Sequence, residues 1–198
     1  MKKLGTQDLL DIAAYERVRE QRLESVIQLK KSRRIAVGPL VTLVFENRET
    51  IRSQIQEMMR AERLVTDEAI QAELDVYNEL LPDEGELAAT LYIEVDDPGR
   101  VREALDRFIG LDEPGRVVMR FEGGAEAPAV FEKGRSREDR ISAVQFLRFP
   151  LSETAARALA SGNGAVTVAI DHPGYRAAGE VPPDVRRSLA SDLKTERP

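Results

Sequence analysis

The sequence predicts an α+β fold: a mixed, mostly antiparallel sheet with a ferredoxin-like βαββαβ core over residues 88–172, preceded by helices and a β-hairpin. Three observations predict it. Apolar residues recur at helical spacing through much of the first 82 residues, and strand-like alternation dominates afterwards. Two runs rich in β-branched residues, 35–37 and 41–45, flank Gly38-Pro39, which reads as a tight connection between strands. From residue 88 the order is strand, helix, strand, strand, strand, helix, strand. With the short strand 129–132 taken as an excursion, that is the βαββαβ order.

Taken along the chain, residues 6–32 read as a helix with Thr6 or Asp8 as cap and apolar positions at Ala14, Val18, Leu23, Val26, Ile27 and Leu29. Lys30 and Lys31 suit the exposed carbonyls of its last turn, whereas Arg33 and Arg34 lie beyond it, entering the hairpin. In the second strand Val41, Leu43 and Phe45 share one face and Thr42, Val44 and Glu46 the other. Asn47 can cap a helix over 49–63, with Glu49 in its first turn. Ile51, Ile55, Met58 and Met59 make its apolar face, and Arg52, Gln56, Arg60 and Arg63 a polar stripe. Glu62 falls on the apolar edge. Thr66 caps a helix over 67–80, with Ile70, Leu74, Tyr77 and Leu81 inward, and Pro82 closes it. Strands follow at 88–95, 116–122, 129–132, 141–150 and 165–171. Pro98 opens a helix that runs to Phe108, and Ser152 caps one over 153–160 that ends before Gly162. Residues 133–140 read as a charged loop, His172-Pro173-Gly174-Tyr175 as a turn, and 184–193 as a last short helix.

At 198 residues and 42% hydrophobic content the chain can build a core of its own. The expected organisation is one domain over 1–198, divisible into a helical and hairpin part (1–82) and an α+β sandwich (83–198). Charge is unevenly placed. Residues 1–64 carry 13 Lys+Arg against 9 Asp+Glu, residues 65–115 carry 3 against 15, and residues 116–198 carry 13 against 11. A basic head thus precedes an acidic middle, which either compensate each other or face partners of opposite charge. With a net charge of −6 and few interleaved aromatics, the chain is not a nucleic-acid binder by composition. The absence of cysteine excludes thiolate nucleophiles and cysteine-ligated clusters. No run has the apolar length of a membrane span or signal peptide, so a cytoplasmic protein is expected.

The residues that could carry chemistry are few. Arg33, Arg34, Arg60 and the neighbouring Gln56 and Glu62 could gather as a guanidinium-rich site for a phosphate or carboxylate. The competing reading is ion pairing with the acidic middle. Tyr77, Asn78 and His172 join that site only if the fold converges them; Tyr77 otherwise reads as a core residue with its hydroxyl at the surface. His172, the lone histidine, sits just past a strand, with Tyr175 beyond the Pro-Gly turn. A turn-stabilising role competes with a functional one. With Glu46, Glu57 or Glu62, His172 could bind a hard metal only if the fold converged them. No cofactor or metal is assigned, and no phosphate-loop or dinucleotide motif occurs.

The segments KKSRRIAVGPLVTLVFENRETIRSQIQEMMRAER, ELDVYNELLPDEGE, SAVQFLRFPL and AIDHPGYRAAGEVPPDVRRSLASDL together resemble a bacterial family known as domain of unknown function 3501. The resemblance covers nearly the whole chain. Genes of that family are often found near those for rubrerythrin-like di-iron proteins and iron–sulfur oxidoreductases. The resemblance therefore implies an accessory role beside redox metalloproteins. The expected function is a non-enzymatic protein that binds such a partner. The alternatives are a small anion-binding protein or cryptic enzyme with an Arg/Glu/His site, and a homodimer that associates along the Met58–Met59 face.

Overall fold

The computed structural model describes residues 1–134, 136–137 and 140–193, so the expected loop 133–140 lies partly outside the described residues. Residues Thr6–Asp8 form only a 3-10 turn. Helix α1 (Ile12–Lys31) starts later than the periodicity suggests, because Asp11 accepts the Ala14 N–H at 2.7 Å and caps it there. Strands β1 (Arg34–Val37) and β2 (Val41–Glu46) form the expected hairpin. Helix α2 (Arg48–Glu62) is capped by Asn47, which accepts from the Glu49 and Thr50 amides. Thr66 caps α3 (Asp67–Asn78). There follow β3 (Glu86–Ile93), α4 (Val101–Asp106), β4 (Val117–Phe121), β5 (Glu126–Pro128), β6 (Val130–Phe131), β7 (Ser136–Arg137), β8 (Arg140–Ile141) and β9 (Val144–Pro150). Helix α5 (Glu153–Ser161), β10 (Val166–His172), β11 (Tyr175–Glu180) and α6 (Pro183–Asp192) complete the chain.

The fold is α+β, and every strand pairing among the described residues is antiparallel. The strands from residue 88 onward do not form one ferredoxin-like sheet, although their order along the chain is the expected one. β3 and β9 pair with each other in a five-stranded sheet, β1-β2-β3-β9-β6, whereas β4 and β10 pair in a four-stranded sheet, β11-β10-β4-β5. The division is physical. Each sheet supplies one fully apolar face, and the two faces bury each other: Leu43, Phe45, Leu87, Leu91 and Phe149 from one, Val117, Met119, Phe121, Val168 and Ile170 from the other. The hairpin of the first 82 residues is thus part of the main sheet, joined through β2–β3.

The two sheets are connected at both margins. On one side β5 runs on into β6, so a single bent segment crosses from one sheet to the other, held by the Ala129 N–H bonding to the Val117 carbonyl at 2.8 Å. On the other side β11 lies against β1 at backbone distance. A β-carbon on Gly179 would stand 2.0 Å from the Ala36 carbonyl oxygen. Gly38, with φ of +71°, faces the Tyr175 hydroxyl and Ala177 in the same way. The Tyr175 hydroxyl donates to the Val37 carbonyl at 2.6 Å and accepts the Leu40 N–H at 3.2 Å, while its ring rests on Phe108 with centroids 4.8 Å apart. Strand β11, YRAAGE, is not signalled by alternation or β-branching. It is a strand because β10 pairs with it and β1 needs a neighbour with small side chains.

A second, smaller core belongs to the helices. Ile51, Ile55 and Met59 of α2 pack with Leu74 of α3, Leu81 and Leu4. The Met58–Met59 face expected for a dimer is thus largely occupied within the chain: Met59 is 2% exposed. Thr42, Val44, Glu46, Ala88 and Thr90, on the outer face of the five-stranded sheet, are also buried.

Gly179→Ala forces its methyl against the β1 backbone, which cannot yield as a side-chain tip would. The expected loss is about 2 kcal/mol or more in urea unfolding.

Candidate functional site

The residues singled out above do not converge. Arg33 is 1% exposed and fully engaged: Nε donates to the Phe45 carbonyl at 2.7 Å, Nη1 to the Ser188 hydroxyl at 3.0 Å, and Nη2 to the Glu46 carbonyl at 3.1 Å and the Asp192 carboxylate at 2.5 Å. It fastens α6 to the start of β1 and the end of β2. Burial raises the Asp192 carboxyl above its ordinary value, and the Arg33 guanidinium opposes that shift. Arg34 instead sits exposed on the outer face, paired with Glu94 at 2.6 Å.

Gln56 and Asn78 are carboxamide clamps. Gln56 accepts the Leu10 N–H at 2.7 Å and donates to the Leu10 carbonyl at 3.0 Å. Asn78 does the same to Leu4, at 2.8 and 2.9 Å. Together they hold the segment before α1 across α2 and α3, and each satisfies a backbone N–H and C=O that would otherwise be stranded. Arg60 is half-buried, 3.6 Å from both Glu16 and Glu57. The principal partner of Glu57 is Arg19, which grips it with Nε and Nη2 at 2.8 Å each, while Tyr15 donates its hydroxyl at 2.9 Å. Arg19 holds the Glu57 carboxyl below its usual range, and burial followed by the Glu57 hydrogen bond pushes the Tyr15 hydroxyl up to about 12. Glu62 is exposed. Tyr77 is half-buried, and burial first, then the charges of Glu73 and Glu62, raise its hydroxyl.

His172, 5% exposed, belongs to the other sheet. Its Nε2 lies 2.8 Å from the Ile109 carbonyl, and its Nδ1 accepts the Gly174 N–H at 3.1 Å. Those partners place the ring proton on Nε2 and leave neither nitrogen for a ligand. Tyr175 is the strand-margin lock described above. Among the described residues no three of His, Asp and Glu gather to hold a metal ion.

What the structure does assemble is a groove on the outer face of the five-stranded sheet. It encloses about 230 Å³. Its walls are Leu80 at the end of the α3 turn, Val130 and Phe131 of β6, and Phe146 of β9. Val130 is 56% exposed, unusual for a strand valine beside a cavity. Glu79 and Glu132 also line it, as does Arg148, whose guanidinium is committed to Asp83 at 3.2 Å, Glu86 at 3.0 Å and the Glu79 carbonyl. At the floor is Glu46, 2% exposed. Its carboxylate accepts the Thr50 hydroxyl at 2.5 Å, the Thr90 hydroxyl at 2.6 Å and the Gln54 amide at 3.3 Å.

The local sequence explains this placement. β2 is followed at once by α2, so Glu46 at the strand end and Thr50 in the first helical turn face each other across Asn47. Thr90 comes from the neighbouring strand on the same face, since Val44 pairs with Thr90 and Glu46 with Ala88. Sequence reasoning noted Glu46 only as a conditional metal ligand. An outward-pointing acid in an otherwise apolar strand was the available signal. Val130, Phe131 and Arg148 gave none, because the groove exists only once β6 returns to β9.

A family model described as "Protein of unknown function (DUF3501)" matches residues 3–193. The chain is also similar to a crystallised protein of unknown function from Burkholderia pseudomallei K96243. The two are 38% identical, the match covers 97% of this chain and 100% of that one, and the TM-score is 0.89. No curated protein matches the chain.

Two expectations follow. Arg33→Met strands Asp192 with its charge and should cost about 3–5 kcal/mol in chemical denaturation, much of it regained in Arg33→Met/Asp192→Asn. For pH, Asp8 is held below its ordinary 3.8 by Arg48, and Glu57 below its ordinary 4.5 by Arg19. A carboxyl lowered by folding stabilises above its unfolded value, and that contribution disappears as pH falls through it toward the folded value. Asp192, raised by folding, works in the opposite sense. Amide-exchange protection in α1 should therefore decline below pH 4.5, and Glu57→Gln should remove much of that dependence.

Proposed function

This chain belongs to the DUF3501 family of proteins of unknown function, and we propose that it acts as a cytoplasmic, non-enzymatic accessory protein that docks a partner protein in the groove over Glu46. The observation that carries this reading is the combination at one place of an apolar wall open to solvent at Val130 and a buried carboxylate. An isolated exposed valine needs no explanation, but one on the lip of a cavity with Phe146 and Leu80 behind it offers a partner area to bury.

Charge complementarity selects the occupant. Glu46, Glu79 and Glu132 line the groove; Glu79 has Lys3 at 3.6 Å, and among the described lining residues the one guanidinium, Arg148, is committed to Asp83 and Glu86, so the charge on which the fit rests is that of Glu46. The acidic stretch of the sequence thus contributes to this rim through Glu79, Asp83 and Glu86. A basic, partly apolar segment of a partner fits it, and the acidic field raises the encounter rate with such a segment. The family resemblance makes rubrerythrin-like di-iron proteins and iron–sulfur oxidoreductases the first partners to examine. The alternative of an Arg/Glu/His site loses support from the geometry, since Arg33, Arg60, Glu62 and His172 lie apart, and Arg33 and His172 are bound up in structural hydrogen bonds.

The test is titration of the purified protein against a rubrerythrin-like protein and an iron–sulfur oxidoreductase of the same host. Saturable binding is expected, weakened at least about tenfold, or 1.4 kcal/mol, by Val130→Asp. Val130 is exposed, so the substitution leaves folding intact. Binding indifferent to Val130→Asp, or no binding to either class, overturns the reading.

A further inference from the structure

We infer that Glu46 is the anchor of this groove for a cationic side chain, a lysine ammonium or arginine guanidinium, carried by the docking segment; the inference rests on the docking reading above and names what the groove recognises. A carboxylate 2% exposed is ordinarily matched by a cation, because taking its charge out of water is costly. Among the described residues Glu46 has no cation at ion-pair distance from its carboxylate. Its three donors are the neutral Thr50 and Thr90 hydroxyls and the Gln54 amide. The two hydroxyl bonds, at 2.5 and 2.6 Å, have the length of O–H groups donating to an ionised acceptor. Tyr92 responds to the same charge: burial first, then Glu46, raises its hydroxyl.

The nearby cations are engaged elsewhere. Arg33 bonds to the main-chain carbonyl of Glu46, not to its carboxylate, and its ionic partner is Asp192. Arg148, in the groove wall, is held by Asp83 and Glu86. Three donors leave part of the roughly four lone-pair directions of a carboxylate free. Size then restricts the occupant. At about 230 Å³ the groove is smaller than the roughly 300–1,000 Å³ of small-molecule sites, which favours one long side chain over a whole metabolite. The walls suit such a chain, since lysine and arginine lay aliphatic stems along apolar surface while the head group seeks a polar end. Phe146, on the outer face of β9, offers aromatic surface beside that path.

The probes are Nα-acetyl-lysine methylamide, its arginine counterpart and the uncharged norleucine isostere, titrated into the full-length protein and followed by amide chemical shifts of Thr50, Thr90 and Phe131. The basic probes should shift these amides saturably and bind at least tenfold more tightly than norleucine, and Glu46→Gln should abolish the preference. The wild-type comparison requires no variant, so it decides the matter even if Glu46→Gln does not fold. Equal response to charged and uncharged probes, or an undiminished preference in a folded Glu46→Gln protein, overturns the anchor. Partner docking that still depends on Val130 would then leave the docking reading standing; a charge preference at Glu46 without Val130-dependent docking would overturn the docking reading and keep the cation site.

Discussion

The close approach of β11 to β1 is the constraint on which the rest of the structure depends. Without it only the bent β5–β6 segment would hold the margins of the two sheets together, and at the opposite margin the apolar faces would open like a book. The approach is made possible by small residues, Gly179 opposite Ala36 and Gly38 opposite Tyr175, and is fastened by one hydroxyl that both donates and accepts. A net hydrogen bond contributes only about 1 kcal/mol. The larger effect is geometric, since the approach encloses the inward residues of both sheets in one core. Once that face of β2 is committed to the core, its other face must hold Thr42, Val44 and Glu46. That is how an acid comes to lie beneath the helical layer.

Buried charge is handled in two ways. Arg33 is matched by Asp192 and by main-chain carbonyls, and Arg186 has no carboxylate partner among the described residues: its guanidinium gathers the carbonyls of Ala158, Leu159, Asn163 and Gly164 at the C-terminal end of α5. There the exposed carbonyls and the helix dipole supply the negative potential. Arg33 ties α6 to the β1–β2 hairpin, and Arg186 ties it to the end of α5. Glu46 differs, because hydroxyls and an amide replace the cation and the groove stays open beside it. The difference marks it as a recognition element among structural ones.

Much of the fold was legible in local pattern. Asn47, Thr66 and Ser152 act as the helix caps expected of them, the β1–β2 hairpin forms around Gly38-Pro39, and Ile51, Ile55 and Met59 face a core. These features depend on neighbours within a few residues. β11 was not legible, because Ala and Gly there serve a contact made by Ala36 and Val37, about 140 positions earlier. The assignment of β3 and β9 to one sheet and β4 and β10 to the other was equally hidden, since alternation says that a strand has an inner face but not which strand it faces. Gln56 and Asn78 looked like ligand groups for a related reason: their partners, Leu10 and Leu4, are main-chain groups that carry no side-chain signal.

By itself, then, the sequence determined the α+β class, the family and most helix and strand positions, together with the acidic stretch that borders the groove, because periodicity, capping and composition act at short range. Tertiary structure alone decided that Arg33, Gln56, Asn78 and His172 are held in structural hydrogen bonds, and that Glu46 lies buried, with no cation among the described residues, beside an open apolar groove. The reason is that a side chain's availability depends on what the fold places against it, and the groups that engage these four, or fail to neutralise Glu46, come largely from distant parts of the chain.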